Sequence, residues 1–169
     1  MKLKLCDAKS LDIVKTFECG QCFRWNANDK GVYTGVVGRY LAEVETVNNE
    51  VYITSDAPSE MWADYFDLAT DYAAVSADFT GEYLHECIDY GMGIRILRQD
   101  SWEALCSFII SQCNNITRIK GIVERLCEQF GDKCEANGVG YYTFPSAERL
   151  AALLSLIHIS EPTRHLRIS

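Results

Sequence analysis

Hydrophobic and polar residues alternate in the first third of the chain in a way that predicts β-strands. The alternation runs over 21–25, and residues 31–45 carry β-branched and aromatic side chains punctuated by glycines. The polar residues 48–50 mark a tight turn before another short strand over 51–54. Short consecutive strands with tight connections are typical of an antiparallel sheet, so we predict one here.

The pattern becomes helical after Pro58. The sequence Pro58-Ser59-Glu60 is a helix-start signal, because proline suits the first turn and an acidic side chain suits the positive end of the helix dipole. A second helix is predicted over 71–89, and the Gly-Met-Gly sequence at 91–93 ends it.

The clearest helix signals lie beyond residue 94. Asp100 and Glu103 form the ends of a capping box, and a strongly apolar helix follows it and ends near 112–115. Residues 116–130 have the apolar spacing of another helix with one buried face, and Gly131 is its C-terminal stop.

The end of the chain carries weaker signals. The Gly-Val-Gly sequence at 138–140 is not followed by a helix, so we interpret it as a loop rather than a phosphate-binding turn. Ser146 suits the N-cap of a further short helix over 147–154. Residues 155–169 fit neither period, Pro162 interrupts them, and they resemble translated sequencing adapter. We therefore predict that they are a non-native tail.

These elements predict an α+β fold with two domains. Residues 1–91 form an N-terminal antiparallel sheet domain with helices, and residues 92–154 form the start of an all-helical domain. Two amphipathic helices and part of a third are few to close a core, because each must bury its apolar stripe against a neighbour. We expect the second domain to be incomplete and to expose the apolar faces of its first two helices.

Composition and charge narrow the class of protein. A hydrophobic fraction of 48% in 169 residues excludes disordered, collagen-like and low-complexity chains. No stretch reaches the ~18 apolar residues of a membrane-spanning helix, and the N-terminus lacks the apolar segment of a signal peptide. We expect a cytoplasmic protein without membrane contact, nucleoid-associated if it is bacterial. The net charge of −8 argues against a protein that coats nucleic acid through net charge, but it allows a local basic site.

Eight cysteines raise the question of a metal or redox site. In a reducing compartment most cysteines are small buried hydrophobes. Cys19 and Cys22 have the spacing of half a zinc site or of a redox pair. Cys127 and Cys134 are too far apart for the second half, and strand-like alternation rather than a helix follows Cys22. Packing at a turn is favoured, and a metal or redox module is kept as an alternative.

A basic pair lies at the start of the helix that follows two asparagines. Asn114 and Asn115 are explained by a helix cap and a tight turn. Arg118 and Lys120 lie near the positive end of the helix dipole, which disfavours cations by ~0.3–1 kcal/mol. No acidic side chain of the same helix precedes Glu124 to compensate for them. A bound anion such as phosphate would make these cations favourable. Nucleic-acid contact and a solvated basic face both stay open.

Three segments resemble the 8-oxoguanine DNA glycosylase family. The longest is 97–121, LRQDSWEALCSFIISQCNNITRIKG; the others are CGQCFRW at 19–25 and FPS at 144–146. They occur in the family's order and at compatible distances over 1–154. The resemblance implies an N-terminal antiparallel sheet domain and a helical domain with a helix–hairpin–helix DNA clamp. It also implies a monomer that acts on duplex DNA containing 8-oxoguanine, with no cofactor and no metal.

The resemblance also implies the chemistry of base-excision repair. Members of the family flip the oxidised guanine into a pocket, and a lysine attacks the sugar C1′, expels the base and forms a Schiff base that leads to strand cleavage. That lysine and an assisting aspartate would lie beyond residue 154, and Lys120 and Lys133 do not match the lysine's context. We therefore expect that this chain contains no catalytic residue. It would then be an inactive fragment of a bifunctional glycosylase/lyase. The alternative from another class is a non-catalytic DNA- or protein-binding module that uses the sheet domain alone.

The family's recognition residues can be carried over one by one. Gly20 matches a glycine whose backbone carbonyl accepts a hydrogen bond from N7–H of 8-oxoguanine, a hydrogen that guanine lacks. Asn114 and Asn115 match the last two members of an asparagine triplet beside the DNA, and Arg118 matches an arginine that reads the unpaired cytosine. Cys113 departs from the triplet, since its side chain is smaller than the amide that fills the space of the flipped base.

Overall fold

The computed structural model describes residues 1–79 and 81–152. Its largest element is a five-stranded antiparallel sheet in the order β1-β5-β4-β3-β2. The strands are β1 (Lys2–Asp7), β2 (Trp25–Ala27), β3 (Tyr33–Val37), β4 (Tyr40–Val47) and β5 (Glu50–Ser55). Asn48 and Asn49 have φ values of 51° and 65°, which are typical of a two-residue hairpin turn. The predicted sheet and its turn at 48–50 are confirmed.

Two elements lie outside the predicted pattern. β1 pairs with β5 at the edge of the sheet, with its lysines exposed and with Leu3 and Leu5 packed partly against the core. This Lys-Leu alternation is the strand signal in the sequence. Helix α1 (Ile13–Glu18) begins after Asp12, whose side chain accepts a hydrogen bond from the backbone N–H of Lys15.

Three short helices follow the sheet. They are α2 (Ser59–Tyr65), α3 (Tyr72–Ala77) and α4 (Glu82–Gly91). The helix start at Pro58 is confirmed. The single helix predicted over 71–89 is wrong, because Gly81 has a φ of 127°, far from helical geometry, and the chain forms two helices instead.

Helices and one hairpin make up the rest of the described chain. They are α5 (Ser101–Ser111), α6 (Ile116–Phe130), β6 (Lys133–Ala136), β7 (Val139–Tyr142) and a helical segment over 147–152. The loop predicted at 138–140 is wrong: Asn137 and Gly138 have positive φ and join β6 to β7 as a two-residue turn. The Ser146 hydroxyl accepts from Arg149 N–H, which confirms the predicted N-cap. The last two residues of that predicted helix and the predicted tail over 155–169 lie outside the described residues.

The main core lies between one face of the sheet and helices α1 and α2. Phe17 and Trp25 stack with ring centroids 4.4 Å apart. Gly35 on β3 makes room for this pair, because a Cβ there would lie 2.4 Å from the Trp25 ring. The core also includes Leu97, so the segment that precedes α5 packs against the sheet.

A second, smaller core forms around α6. Ile119, Val123 and Cys127 are buried there against Phe23, with Tyr142 and Phe144 packed alongside. The expected exposure of α6 is therefore wrong, since the β6–β7 hairpin and the chain before β2 cover its apolar face. The expectation holds for α5, which exposes Leu105, Phe108 and Ile109.

Helix length and hydropathy together determine whether a helix can span a membrane. Among residues 1–79 and 81–152, no helix combines the length and the apolar character needed to cross a bilayer.

Candidate nucleic-acid interface

Gly20 lies in an exposed loop directly after α1. Its φ is +86°, a left-handed conformation that side chains with a Cβ rarely adopt. A Cβ at this position would meet nothing within 4 Å. Glycine is thus required here by the backbone angle and not by crowding within the chain.

Gln21 holds this loop against the segment that precedes α5. Its Nε2 donates to the carbonyls of Thr16 at 3.0 Å and of Arg95 at 2.8 Å, and its Oε1 accepts from Leu97 N–H at 2.9 Å. Gln99 Nε2 donates in turn to the Gln21 carbonyl at 2.6 Å. Both the side chain and the carbonyl of Gln21, the residue after Gly20, are therefore held by hydrogen bonds. The sequence shows no local signal for this role, because three of the partners, Arg95, Leu97 and Gln99, are more than 70 residues away.

The rest of the segment 20–25 contacts the helical half of the chain. The strand-like alternation over 21–25 is misleading, since only Trp25 belongs to a strand. Phe23 enters the second core, whereas its neighbour Cys22 enters the first. Lys120 Nζ donates to the Trp25 carbonyl at 2.6 Å, so this lysine ties α6 to the sheet. The anion-binding role considered for Lys120 is replaced by this anchor.

The turn between α5 and α6 holds the other predicted contact residues. Asn115 is the N-cap of α6, since its Oδ1 accepts from Arg118 N–H at 2.9 Å. Asn114 Nδ2 donates to the carbonyl of Ile110 at 2.7 Å and stabilises the end of α5. Cys113 is exposed with a φ of 58°, a conformation that asparagine tolerates better than cysteine.

Arg118 is the exposed cation of this turn. Within residues 1–79 and 81–152, no hydrogen bond or ion pair involves its guanidinium group. It lies in the first turn of α6, where backbone N–H groups and the helix dipole favour an anion. The geometry at this turn therefore suits a phosphate or another acceptor from outside the chain.

A buried ion pair joins α5 to the segment 20–25. Asp100 is the N-cap of α5 and accepts from the backbone N–H of Trp102 and Glu103, as predicted. The Glu103 carboxylate does not complete the predicted capping box, because it faces Arg24, with Oε2 3.8 Å from Arg24 Nη1. Burial raises the pKa of Glu103 to about 7, although the positive charge of Arg24 opposes the shift.

Cys19 and Cys22 lie in different environments, and only Cys22 is packed in the core. Cys19 is exposed and Cys22 is buried, and burial raises the pKa of Cys22 to about 12. A metal ligand or redox nucleophile needs the thiolate, which the buried environment of Cys22 disfavours. In the described part of the chain, no group of three or more His, Cys, Asp or Glu side chains is arranged to hold a metal ion.

Comparison with known proteins identifies the family. The family described as 8-oxoguanine DNA glycosylase, N-terminal domain, matches residues 4–105. The chain belongs to this family. An N-glycosylase/DNA lyase of Saccharomyces cerevisiae is 48% identical over 61 residues, 36% of this chain and 16% of that protein. The N-glycosylase/DNA lyase OGG1 of Arabidopsis thaliana is 28% identical over 151 residues, 83% of this chain and 41% of that protein.

Solved structures extend the similarity into the helical half of this 8-oxoguanine glycosylase family member. MBOgg1 in complex with a low affinity DNA ligand is 40% identical with a TM-score of 0.81, over 89% of this chain and 54% of that one. The apo form of the Clostridium acetobutylicum 8-oxoguanine glycosylase/lyase is 35% identical with a TM-score of 0.78, over 89% and 56%. The chain spans about half the length of these neighbours and less of the curated relatives.

The structure connects the two predicted recognition regions through α6. The segment that carries Gly20 contacts this helix through Phe23 and through the Lys120 bond, and the turn with Asn114 and Asn115 leads directly into it. The individual roles of Gly20, Cys113, Asn114, Asn115 and Arg118 stay predictions.

Proposed function

We propose that this chain is the lesion-reading and DNA-contacting part of an 8-oxoguanine DNA glycosylase/lyase of base-excision repair. One observation carries the proposal: the segment 20–25, which begins with Gly20, and the Asn115–Arg118 turn are joined to the same helix, α6. The chain is similar over 89% of its length to a DNA-bound member of the family. The proposed partner is duplex DNA containing 8-oxoguanine, bound by a monomer.

The proposed role of Gly20 follows from hydrogen-bond complementarity. Guanine presents N7 as an acceptor, whereas N7 of 8-oxoguanine carries a hydrogen and donates. A fixed backbone carbonyl accepts from the lesion and repels the normal base. The bonds of the Gln21 side chain support this role, because they fix the residue next to Gly20 to the segment before α5.

The proposed DNA contacts lie at the turn before α6. Arg118 would read the cytosine that loses its partner when the lesion is flipped, and Asn114 and Asn115 would lie beside the opened duplex. Cys113 would occupy the position beside the vacated space with a shorter side chain than asparagine. Its exposure and its left-handed backbone support a location on the DNA side of the turn.

We also propose that the described chain does not supply the nucleophile of the reaction. Lys120, the lysine nearest to the proposed contacts in sequence, donates to a backbone carbonyl and lies against the sheet. Lys133 lies at the start of β6, outside both recognition regions. Neither position matches a lysine that attacks a flipped nucleotide.

The proposal is tested by titrating the 169-residue chain onto a fluorescent duplex with one 8-oxoguanine opposite cytosine, in a series of salt concentrations. We expect salt-dependent binding that Arg118→Ala weakens about fivefold or more, because a base contact worth ~1–3 kcal/mol is lost. Lys30→Ala, in the exposed β2–β3 connection, is the matched control and should retain binding.

Two outcomes would contradict the proposal in different ways. Equal affinity of the wild type and of Arg118→Ala would remove the assigned DNA contact. A borohydride-stable adduct between this chain and the lesion duplex would show that a nucleophile is present, and trapping in Lys120→Ala and Lys133→Ala would then identify it.

A further inference from the structure

A small cavity lies beside the Arg24–Glu103 ion pair, between the sheet and α5. Its volume is about 20 Å³, and one water molecule needs roughly 10–15 Å³. Its lining includes both apolar residues and polar ones; the polar side chains are Arg24, Gln99, Asp100 and Glu103. The cavity is therefore large enough and polar enough for one water.

Arg24 has hydrogen-bond donors that the described chain does not satisfy. The residue is only 7% exposed, and its Nη2 donates to the Tyr142 carbonyl. In residues 1–79 and 81–152, Nε and Nη1 have no hydrogen-bond acceptor. Buried polar groups of native proteins are almost always paired with protein or with ordered water, so this guanidinium indicates a missing acceptor.

Glu103 is too distant to be that acceptor directly. A charge-assisted hydrogen bond between a guanidinium and a carboxylate spans ~2.7–2.9 Å, whereas Nη1 and Oε2 are 3.8 Å apart. A water placed beside the line that joins the two atoms reaches both at ~2.8 Å. A bound anion would be repelled by Glu103 and Asp100, and a bound cation by Arg24.

We propose that this cavity holds one ordered water molecule that accepts a hydrogen bond from Arg24 and donates one to the Glu103 carboxylate. The bridge fixes α5 to the segment 20–25, while the bond from Arg24 to Tyr142 fixes the β6–β7 hairpin to the same side chain. Arg24 and Glu103 are positioning residues that set the helical half against the sheet. This inference does not depend on the proposed function, because it concerns the free chain.

The test is nuclear magnetic resonance on the full ¹⁵N-labelled chain, with water detected by its cross-relaxation with the Arg24 Nε–H or Nη–H. We expect a cross-peak with a long-lived water in the wild type. Glu103→Gln keeps an acceptor and should keep the cross-peak, whereas Glu103→Leu should lose it. Glu124→Leu, an exposed position on α6, is the matched control and should keep it.

A crystal structure of the same wild-type chain provides the second measurement. Density for one water within ~3.2 Å of both an Arg24 nitrogen and a Glu103 oxygen is the expected result. A direct Arg24–Glu103 bond with an empty cavity would overturn the proposal, as would an anomalous signal that identifies chloride there. The absence of a water cross-peak in the folded wild type would overturn it as well, so the decision does not rest on the variants.

Discussion

The sheet region and the helical region each contain a carboxylate in a buried setting, and the two carboxylates are held very differently. Asp67, between α2 and α3, accepts hydrogen bonds from Arg98, Thr70 and Tyr72. Burial raises its pKa, but these hydrogen bonds outweigh that effect and hold the pKa below its ordinary value. Glu103 on α5 faces the distant Arg24, the one counter-charge within residues 1–79 and 81–152 that pairs with it, so burial dominates and its pKa rises. Among the described residues, Asp67 accepts hydrogen bonds from three side chains, whereas the Glu103 carboxylate faces a cation at 3.8 Å.

The apolar residues show the same contrast. In the sheet region, Phe17, Trp62 and Phe66 are almost completely buried in one aromatic cluster. In the helical region, Phe108 and Ile109 of α5 are more than 60% exposed. A single helix face can be covered by a hairpin, as α6 is, but a helix that is apolar on several sides needs neighbours on each of them. The stability of the described chain therefore resides mainly in the sheet region.

The strongest test of this comparison replaces one phenylalanine in each region. Phe17→Ala removes a side chain that is 1% exposed and should lower the free energy of unfolding by about 3–5 kcal/mol. Phe108→Ala removes one that is 64% exposed and should change it by less than about 0.5 kcal/mol. Urea denaturation followed by tryptophan fluorescence measures both. Equal losses would show that the two regions share the stability.

A second test concerns the Asp67 network. Asp67→Asn keeps the left-handed backbone that this position requires, with its φ of 51°, but it removes the charge that pairs with Arg98. We expect a loss of about 1.5–3 kcal/mol near neutral pH. Because the folded pKa of Asp67 lies below its unfolded value of about 3.9, the wild type loses this contribution as the pH falls through the folded pKa. Denaturation series at pH 7 and pH 3 should therefore give a smaller difference at pH 3, and a constant difference would contradict the assignment.

The third test concerns the pH dependence of the contribution of Glu103. Its folded pKa of about 7 lies above the unfolded value of about 4.3, so the folded chain binds more protons between these values. The contribution of Glu103 to stability should fall as the pH rises through this window, by at most about 1.4 kcal/mol per pH unit. Glu103→Gln removes the titration, so the stability of the variant relative to the wild type should increase with pH. Parallel pH profiles of the two proteins would contradict the raised pKa.

Sequence patterns determined the local features of this protein. The hairpin turn at Asn48 and Asn49, the N-caps at Asp100 and Asn115, and the end of α6 before Gly131 each depend on a few neighbouring residues, and all were predictable. The motif at 97–121 likewise identified the family, because its residues are contiguous. Local signals also exist for two elements that we did not predict. They are the Asn-Gly turn at Asn137 and Gly138 and the Lys-Leu alternation of the edge strand β1.

Only the tertiary structure decided how the candidate site is held. Gln21 bonds to residues 74 and 76 positions away, Lys120 reaches a carbonyl 95 positions away, and Glu103 faces Arg24 rather than its own helix end. A short sequence window contains none of these partners. Each side chain also had a plausible local role: Gln21 as a loop amide, Lys120 as a phosphate-binding cation and Glu103 as a capping acid. Burial selected among those roles, because a polar group removed from water must find its partner wherever the folded chain provides one.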